Sequence, residues 1–219
     1  MQNGIILIDK PANMTSFGVV ARVRRVLSRE QGKKVKVGHT GTLDPFATGL
    51  MILAIGSECK NAGSYSKLDK AYEAIIRLGQ TSTTGDPEGE IVDFSDLVPS
   101  IDEVNRVISK FIGEIDQTPP IYSAIKIDGQ RAYKMARAGK TVEMPVRKVK
   151  IYKLEVINYK YPELKIIANV SSGTYIRTLA EDIGKALTTG AYCSQLRRIS
   201  IANWDVKDAK KLEDLGIID

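Results

Sequence analysis

One carboxylate stands in an unusually constrained setting: Asp44, within Gly38-His39-Thr40-Gly41-Thr42-Leu43-Asp44-Pro45-Phe46-Ala47-Thr48-Gly49. Pro45 fixes its own φ and pushes Asp44 away from helix. Gly38, Gly41 and Gly49 are read as admitting backbone angles closed to other residues. The loop runs into Leu50-Met51-Ile52-Leu53-Ala54-Ile55, an apolar run that must be buried. An aspartate is anionic at neutral pH, with an ordinary pKa of roughly 3.9. Held in a stiff turn on a core element, it can act as a nucleophile or stabilise developing positive charge. The same residues also suit a turn aspartate that hydrogen-bonds its own backbone.

Other segments carry chemistry of their own. Ser171-Ser172-Gly173-Thr174-Tyr175-Ile176-Arg177-Thr178 reads as a strand-to-helix junction, and Arg177 is a fixed cation able to take a carboxylate in two hydrogen bonds. Alone, it reads as a structural salt bridge. Leu196-Arg197-Arg198-Ile199 places a doubled arginine after an apolar anchor. Across 118–147 aromatics and bases interleave, with Tyr122, Lys126, Arg131, Tyr133 and Arg137 punctuated by Gly129, Gly139 and Pro145. Rings beside cations suit a looped RNA partner, or the segment is an ordinary surface excursion. Arg22, Arg25 and Arg29 fall on one helix face, as a phosphate-binding stripe or a solvated face.

The elements that must position these groups follow from periodicity. Residues 4–11 are a short apolar strand closed by Pro11, and Thr15-Ser16 can cap a helix whose spacing runs through Phe17, Val20, Val23 or Arg24, and Leu27. Residues 71–79 alternate, with Tyr72, Ala74, Ile76 and Leu78 on one strand face. A polar loop over 81–90 contains Gly85-Asp86-Pro87. Ser100 to Glu103 form a capping box for an amphipathic helix through Val104, Val107, Ile108, Phe111 and Ile112, ended by Pro119-Pro120. Two strands, 148–159 and 164–170, flank Tyr161-Pro162, and a helix from Tyr175 to Leu187 stops at Gly190. Strands and helices mix without strict alternation, which predicts α+β with a largely antiparallel sheet. With no repeat and no low-complexity linker, one compact catalytic domain over 1–219 is the simplest division.

Composition narrows the chemistry. The chain has 219 residues, 43% of them hydrophobic, and a net charge of +6, which points to an acidic partner, nucleic acid first, or to a mildly basic enzyme with none. Cys59 and Cys193 are far apart and read as reduced residues of a cytosolic protein. His39 is the sole histidine and no zinc-ligand spacing exists, so no metal site is expected. There is no phosphate-binding Gly-x4-Gly-Lys loop, no secretory signal at Met1-Gln2-Asn3-Gly4 and no apolar run of membrane-spanning length.

Taken in order, Gly38-His39-Thr40-Gly41-Thr42-Leu43-Asp44-Pro45, Tyr72, Gly173-Thr174-Tyr175-Ile176-Arg177-Thr178 and Leu196-Arg197-Arg198 resemble the signature of the tRNA pseudouridine-55 synthases, the TruB family. Asp9-Lys10-Pro11 with Thr15-Ser16, and Tyr122-Ser123-Ala124 with Lys126, match as well, so the resemblance runs from about Gly4 to about Trp204. It implies the pseudouridine synthase fold, with a central mixed sheet flanked by helices and loops. It also implies isomerisation of one T-loop uridine of tRNA, in which the N1–C1′ bond breaks, the base turns and C5–C1′ forms. The alternative on the same scaffold is an RNA-binding, tRNA-folding protein without catalysis.

By resemblance Asp44 is the catalytic carboxylate, attacking C1′ or C6 or working through a glycal. Arg177 would orient it, and Tyr72 would stack on the base and serve as a candidate base for the C5 proton. Tyr175 and Leu196 would line the base pocket, and His39 would contact the RNA beside it. Residues 118–147 align with an RNA-closing insertion, the thumb, in which Lys126 and Arg131 would meet phosphates. No cofactor or guide RNA is implied, and the protein is expected to be cytoplasmic and monomeric, without membrane contact. Few residues follow Trp204, so no C-terminal PUA-type domain is expected. The sequence departs from the family pattern at Asn13 or Met14 and at Ala202, where glycine is usual.

Overall fold

A computed structural model describes residues 3–217. The chain begins with β1 (Gly4–Lys10), α1 (Ser16–Glu30), β2 (Val37–His39), β3 (Thr48–Ile55), α2 (Ala62–Ser66) and β4 (Lys70–Leu78). β5 (Gln80–Ser82), β6 (Ile91–Asp93), α3 (Ile101–Ser109) and β7 (Gly113–Gln117) come next. The aromatic and basic segment holds β8 (Lys126–Ile127), β9 (Gln130–Arg131) and α4 (Ala132–Arg137). β10 (Arg147–Lys160), β11 (Glu163–Val170), α5 (Ile176–Ala186), β12 (Ala191–Ile201) and β13 (Trp204–Asp205) complete it. The α+β class and the mostly antiparallel sheet are as expected.

Two compact units are present. One comprises the described residues up to Tyr72 together with those from Arg197 onward; the other is Glu73–Leu196. In the first, β1 pairs antiparallel with β3 over its whole length, from Gly4 opposite Ile55 to Lys10 opposite Gly49. β2 also pairs with β3, and the end of β12 runs parallel to its start, with Arg197 opposite Thr48 and Arg198 opposite Gly49. The apolar run of β3 is buried as its composition demands: Leu50 and Ile52 form a core with Ile201, against which Ile5, Leu7, Leu68 and Trp204 pack. α1 is capped by Thr15, whose side chain accepts from the Gly18 amide, and it buries Val19, Val20, Val23 and Leu27.

In the second unit the strand order is β12-β4-β11-β10-β7. β4 buries Ala74, Ile76 and Leu78, the alternation expected of it, and α5 covers apolar surface with Leu179, Ala180 and Ile183. Ser100 and Glu103 form the predicted capping box of α3, but that helix stops at Ser109 rather than continuing through Ile112. The next residues turn back, and Gly113–Gln117 pair with β10 as a strand. Two glycine expectations also change. Gly49 is left-handed at φ 106, whereas Gly38 is an ordinary strand residue opposite Ala54 and Gly41 is not left-handed. Asn13 takes φ 60, an angle asparagine tolerates, and Ala202 is held at φ 46.

Candidate active site

The loop that carries Asp44 is fixed from three directions within the first unit. Ser16, the buried first residue of α1, donates its hydroxyl to the Leu43 carbonyl at 2.8 Å and accepts the Leu43 amide at 2.8 Å. Lys10, fully buried at the end of β1, donates from Nζ to the carbonyls of Pro45 at 3.1 Å, Met14 at 2.7 Å and Pro11 at 2.8 Å. Arg198, also buried, donates from Nη2 to the Gly41 carbonyl at 3.2 Å and from Nε to the Leu50 carbonyl at 2.7 Å. Backbone groups on either side of Asp44, and its own carbonyl, which accepts from the Ala47 amide at 3.2 Å, are thus tied down. A half-buried carboxylate in such a frame loses little orientation entropy when it acts.

The neighbouring groups follow from the strands. His39 ends β2 opposite Leu53 and is half-buried. Tyr72 lies on the buried face of β4 and is only 8% exposed. The arginine doublet divides its labour because successive strand residues point to opposite faces. Arg198 turns inward to the Asp44 loop. Arg197 takes the Asp9 carboxylate in a fork, at 3.0 and 2.7 Å, and so links β12 to β1. Lys70, at the start of β4, donates to the carbonyls of Ser66 and Leu68, and burial together with the Arg198 charge lowers its pKa to about 8.

In the second unit Arg177 sits in the first turn of α5 with its guanidinium enclosed. Nη1 donates to the Asp86 carboxylate at 2.9 Å and to the Thr84 carbonyl at 2.9 Å, and Nη2 donates to the Tyr122 carbonyl at 2.9 Å. Asp86 is 2% exposed; its other oxygen accepts from the Thr84 hydroxyl at 2.6 Å and the Glu88 amide at 3.0 Å. Tyr175 precedes α5 and is gripped through its backbone by buried Gln117, which accepts its amide at 2.7 Å and donates to its carbonyl at 3.0 Å. Leu196 is buried on β12. Beside these groups lies a cavity of about 450 Å³ lined by residues including Thr118, Tyr122, Met144, Thr178 and Glu181, whose carboxyl pKa is raised chiefly by burial. Lys126 and Arg131 face each other in the β8–β9 hairpin, both exposed, with Arg131 donating to the Ala124 carbonyl at 3.0 Å.

Thus the first unit brings His39, Asp44 and Tyr72 onto one scaffold, and the second holds Arg177, Tyr175 and Leu196, with Lys126 and Arg131 on their hairpin. Asp86 and Gln117 escaped the sequence reading. Asp86-Pro87 repeats the pattern of Asp44-Pro45, but nothing in its polar loop marks Asp86 as the carboxylate to be enclosed, and Gln117 carries no signal either.

A family model described as TruB family pseudouridylate synthase (N terminal domain) matches residues 24–176, and one described as tRNA pseudouridylate synthase B C-terminal domain matches 177–217. The chain is similar to tRNA pseudouridine synthase B of Mycobacterium sp. (strain KMS), 43% identical over 218 residues, covering 97% of this chain and 72% of that one. It is also similar to that of Azoarcus sp. (strain BH72), 45% identical over 213 residues, covering 97% and 69%. Among solved structures, a chain of a Cbf5-Nop10-Gar1 complex shares the fold at TM-score 0.74 with 30% identity, covering 96% of this chain and 53% of that one. A chain of an archaeal box H/ACA sRNP Nop10-Cbf5 complex gives 0.69 and 28%, covering 97% and 52%, so the chain spans about half the length of these solved chains.

Proposed function

The chain belongs to the TruB family of pseudouridylate synthases, and from that premise we propose that it isomerises the T-loop uridine at position 55 of tRNA with Asp44 as the catalytic carboxylate. The observation that carries the assignment is the clamped loop. Three buried side chains, Lys10, Ser16 and Arg198, are spent on holding the backbone around Asp44. A merely structural turn aspartate does not call for two buried cations, because burying a charge is costly unless every donor is taken.

In this reading the target base leaves its stack, at a cost of a few kcal/mol. Asp44 supports cleavage of the N1–C1′ bond, either as a nucleophile or by stabilising positive charge on the ribose. The uracil turns, C5 joins C1′, the C5 proton departs and N1 gains one, so nothing is oxidised or reduced. Tyr72 is the group we assign to the base face and to the C5 proton, and His39 is assigned to the RNA beside the base. Arg177, Tyr175 and Leu196 are assigned to catalysis and to the base pocket, and Asp86 positions Arg177 through their buried ion pair. Lys126 and Arg131 are assigned to phosphates of the T-arm, on a thumb spanning 118–147. Among the described residues no helix is long and apolar enough to cross a membrane. The reading extends to a cytoplasmic monomer with a single catalytic domain, working without guide RNA.

The test is release of tritium from C5 of uridine in T-arm RNA, wild type against Asp44→Asn. Release by wild type, and a loss of at least about a thousandfold in the variant, is the expected outcome. A folded wild type that binds the RNA but releases no tritium overturns catalysis and favours an RNA-binding, tRNA-folding role.

A further inference from the structure

The positive charge of this chain is concentrated. Residues 22–36 hold seven lysines and arginines and one acid, Glu30. The rest of the chain is left with 25 basic and 25 acidic residues, against 32 and 26 overall, so the net +6 is the charge of this one segment. α1 dictates how it is displayed. With Val19, Val20, Val23 and Leu27 facing the core, Arg25 and Arg29 point to solvent, and Lys33, Lys34 and Lys36 follow, exposed, in the link to β2.

Among the described residues none of Arg24, Arg25, Arg29, Lys33, Lys34 and Lys36 has a carboxylate partner. By contrast, Lys148, Lys165 and Lys185 in the rest of the chain lie 3.0, 3.0 and 3.3 Å from carboxylates. A surface serving solubility alone intersperses the two signs. The helix dipole accounts for a cation in the last turn, which is Arg29 only. Arg24 lies over the Phe17 ring, 5.9 Å from its centroid, and Phe17 is itself 64% exposed.

The segment also has a fixed relation to Asp44. Ser16 at the head of α1 grips Leu43, and Arg29 lies thirteen residues, or about 20 Å, further along the axis. The link then returns through Lys36 to His39. Exposed cations that recur from Arg25 to Lys36 match a polyanion rather than a single phosphate. Duplex nucleic acid, with its closely spaced charges, is the polymer it fits.

We infer that the exposed face of α1 and the 32–36 link form a docking track for the phosphate backbone of an RNA duplex stem, holding the substrate at a distance from the uridine that reacts at Asp44. This rests on the function proposed above. The track acts on binding, and on RNA beyond the loop that carries the target.

The experiment compares wild type with Arg25→Gln/Arg29→Gln/Lys33→Gln/Lys34→Gln on two tritiated T-arm hairpins, one with a short stem and one with the stem extended. Affinity is measured over a range of salt, and KM is taken from tritium release. On the extended stem the variant should bind at least ~10-fold more weakly at low salt, with a log–log salt slope shallower by about 2 to 4 and KM raised in step. The effect on the short stem should be smaller. Lys33→Gln/Lys34→Gln, which touches no helix, should give roughly half of the slope change. Neutralising the paired Lys153 and Lys165 should leave the slope in place. Equal affinities and slopes for wild type and variant, with wild type active, overturn the track and leave the function standing. A wild type that binds but releases no tritium overturns the function, while the slopes still decide the track.

Discussion

Lys10 and Lys70 are two lysines drawn out of solvent to different depths. Lys10 is fully buried, and three carbonyls take its ammonium donors. Lys70 is only partly buried, is pushed down mainly by that burial and next by Arg198, and is opposed by Asp69, so its pKa falls from 10.5 to about 8. The folded protein therefore holds this proton less tightly than the unfolded chain. Stability from this group is present above pH 10.5 and is lost as pH falls through about 8. Wild type should gain on Lys70→Met as pH rises between those values, by on the order of 1 kcal/mol once solvent screening is allowed for. Urea midpoints of both proteins across that range test it, and a flat difference would refute it. At this scale the rigid loop around Asp44 was legible because glycine and proline mark constrained backbone in plain sequence. Asp86 was not, although it also precedes a proline, because a polar turn gives no sign of which carboxylate will be enclosed. Ser16 and Lys10 stood inside matched motifs, but their work on Leu43 and Pro45 depends on contacts 27 and 35 residues away.

Strands here approach more closely than side chains allow. A Cβ added to Gly49 would lie 2.3 Å from the Arg198 carbonyl oxygen and 2.7 Å from its amide nitrogen, both backbone atoms that cannot give way cheaply. Gly49→Ala should therefore destabilise by about 3 kcal/mol or more and reduce activity, since it parts β3 from the strand that carries Arg198. Thermal unfolding decides the matter; a variant with the wild-type midpoint would show that the strands can separate without penalty. The elements read most easily were those whose pattern is purely apolar or alternating, β3 and β4 among them. β7 was missed because Gly-Glu-Ile-Asp-Gln is short and polar, and it becomes a strand only by pairing with β10. β12 was missed because two consecutive arginines, one of them buried, break the hydrophobic signal at the point where it matters most. Phe111 and Ile112 continued the helical spacing of α3 beyond its end, and Gly113 at φ 112 shows where the backbone left it.

For the whole molecule, the proposal requires RNA to meet a segment that folds largely on its own terms. The 118–147 stretch is built from a two-residue hairpin, one short helix and extended chain, with few long-range backbone hydrogen bonds. Such a segment exchanges its amides readily when free. Adding T-arm RNA should slow exchange across 120–145, and unchanged exchange at saturating RNA would argue that the thumb does not close on substrate. The fold class and the family's ordered motifs were legible along nearly the entire chain. The charge track was visible only in part, through Arg25 and Arg29 at helical spacing, since the sequence does not reveal how the fold will display Lys33, Lys34 and Lys36.

The Gly41–Arg198 hydrogen bond joins residues 157 positions apart. Asp44 is made by the ribosome well before the side chain that finishes its loop. A nascent chain that has not yet released β12 owns the carboxylate but not its frame. The frame thus arrives only with the later strand, and Arg198 serves as the chain's own record that synthesis has run at least that far.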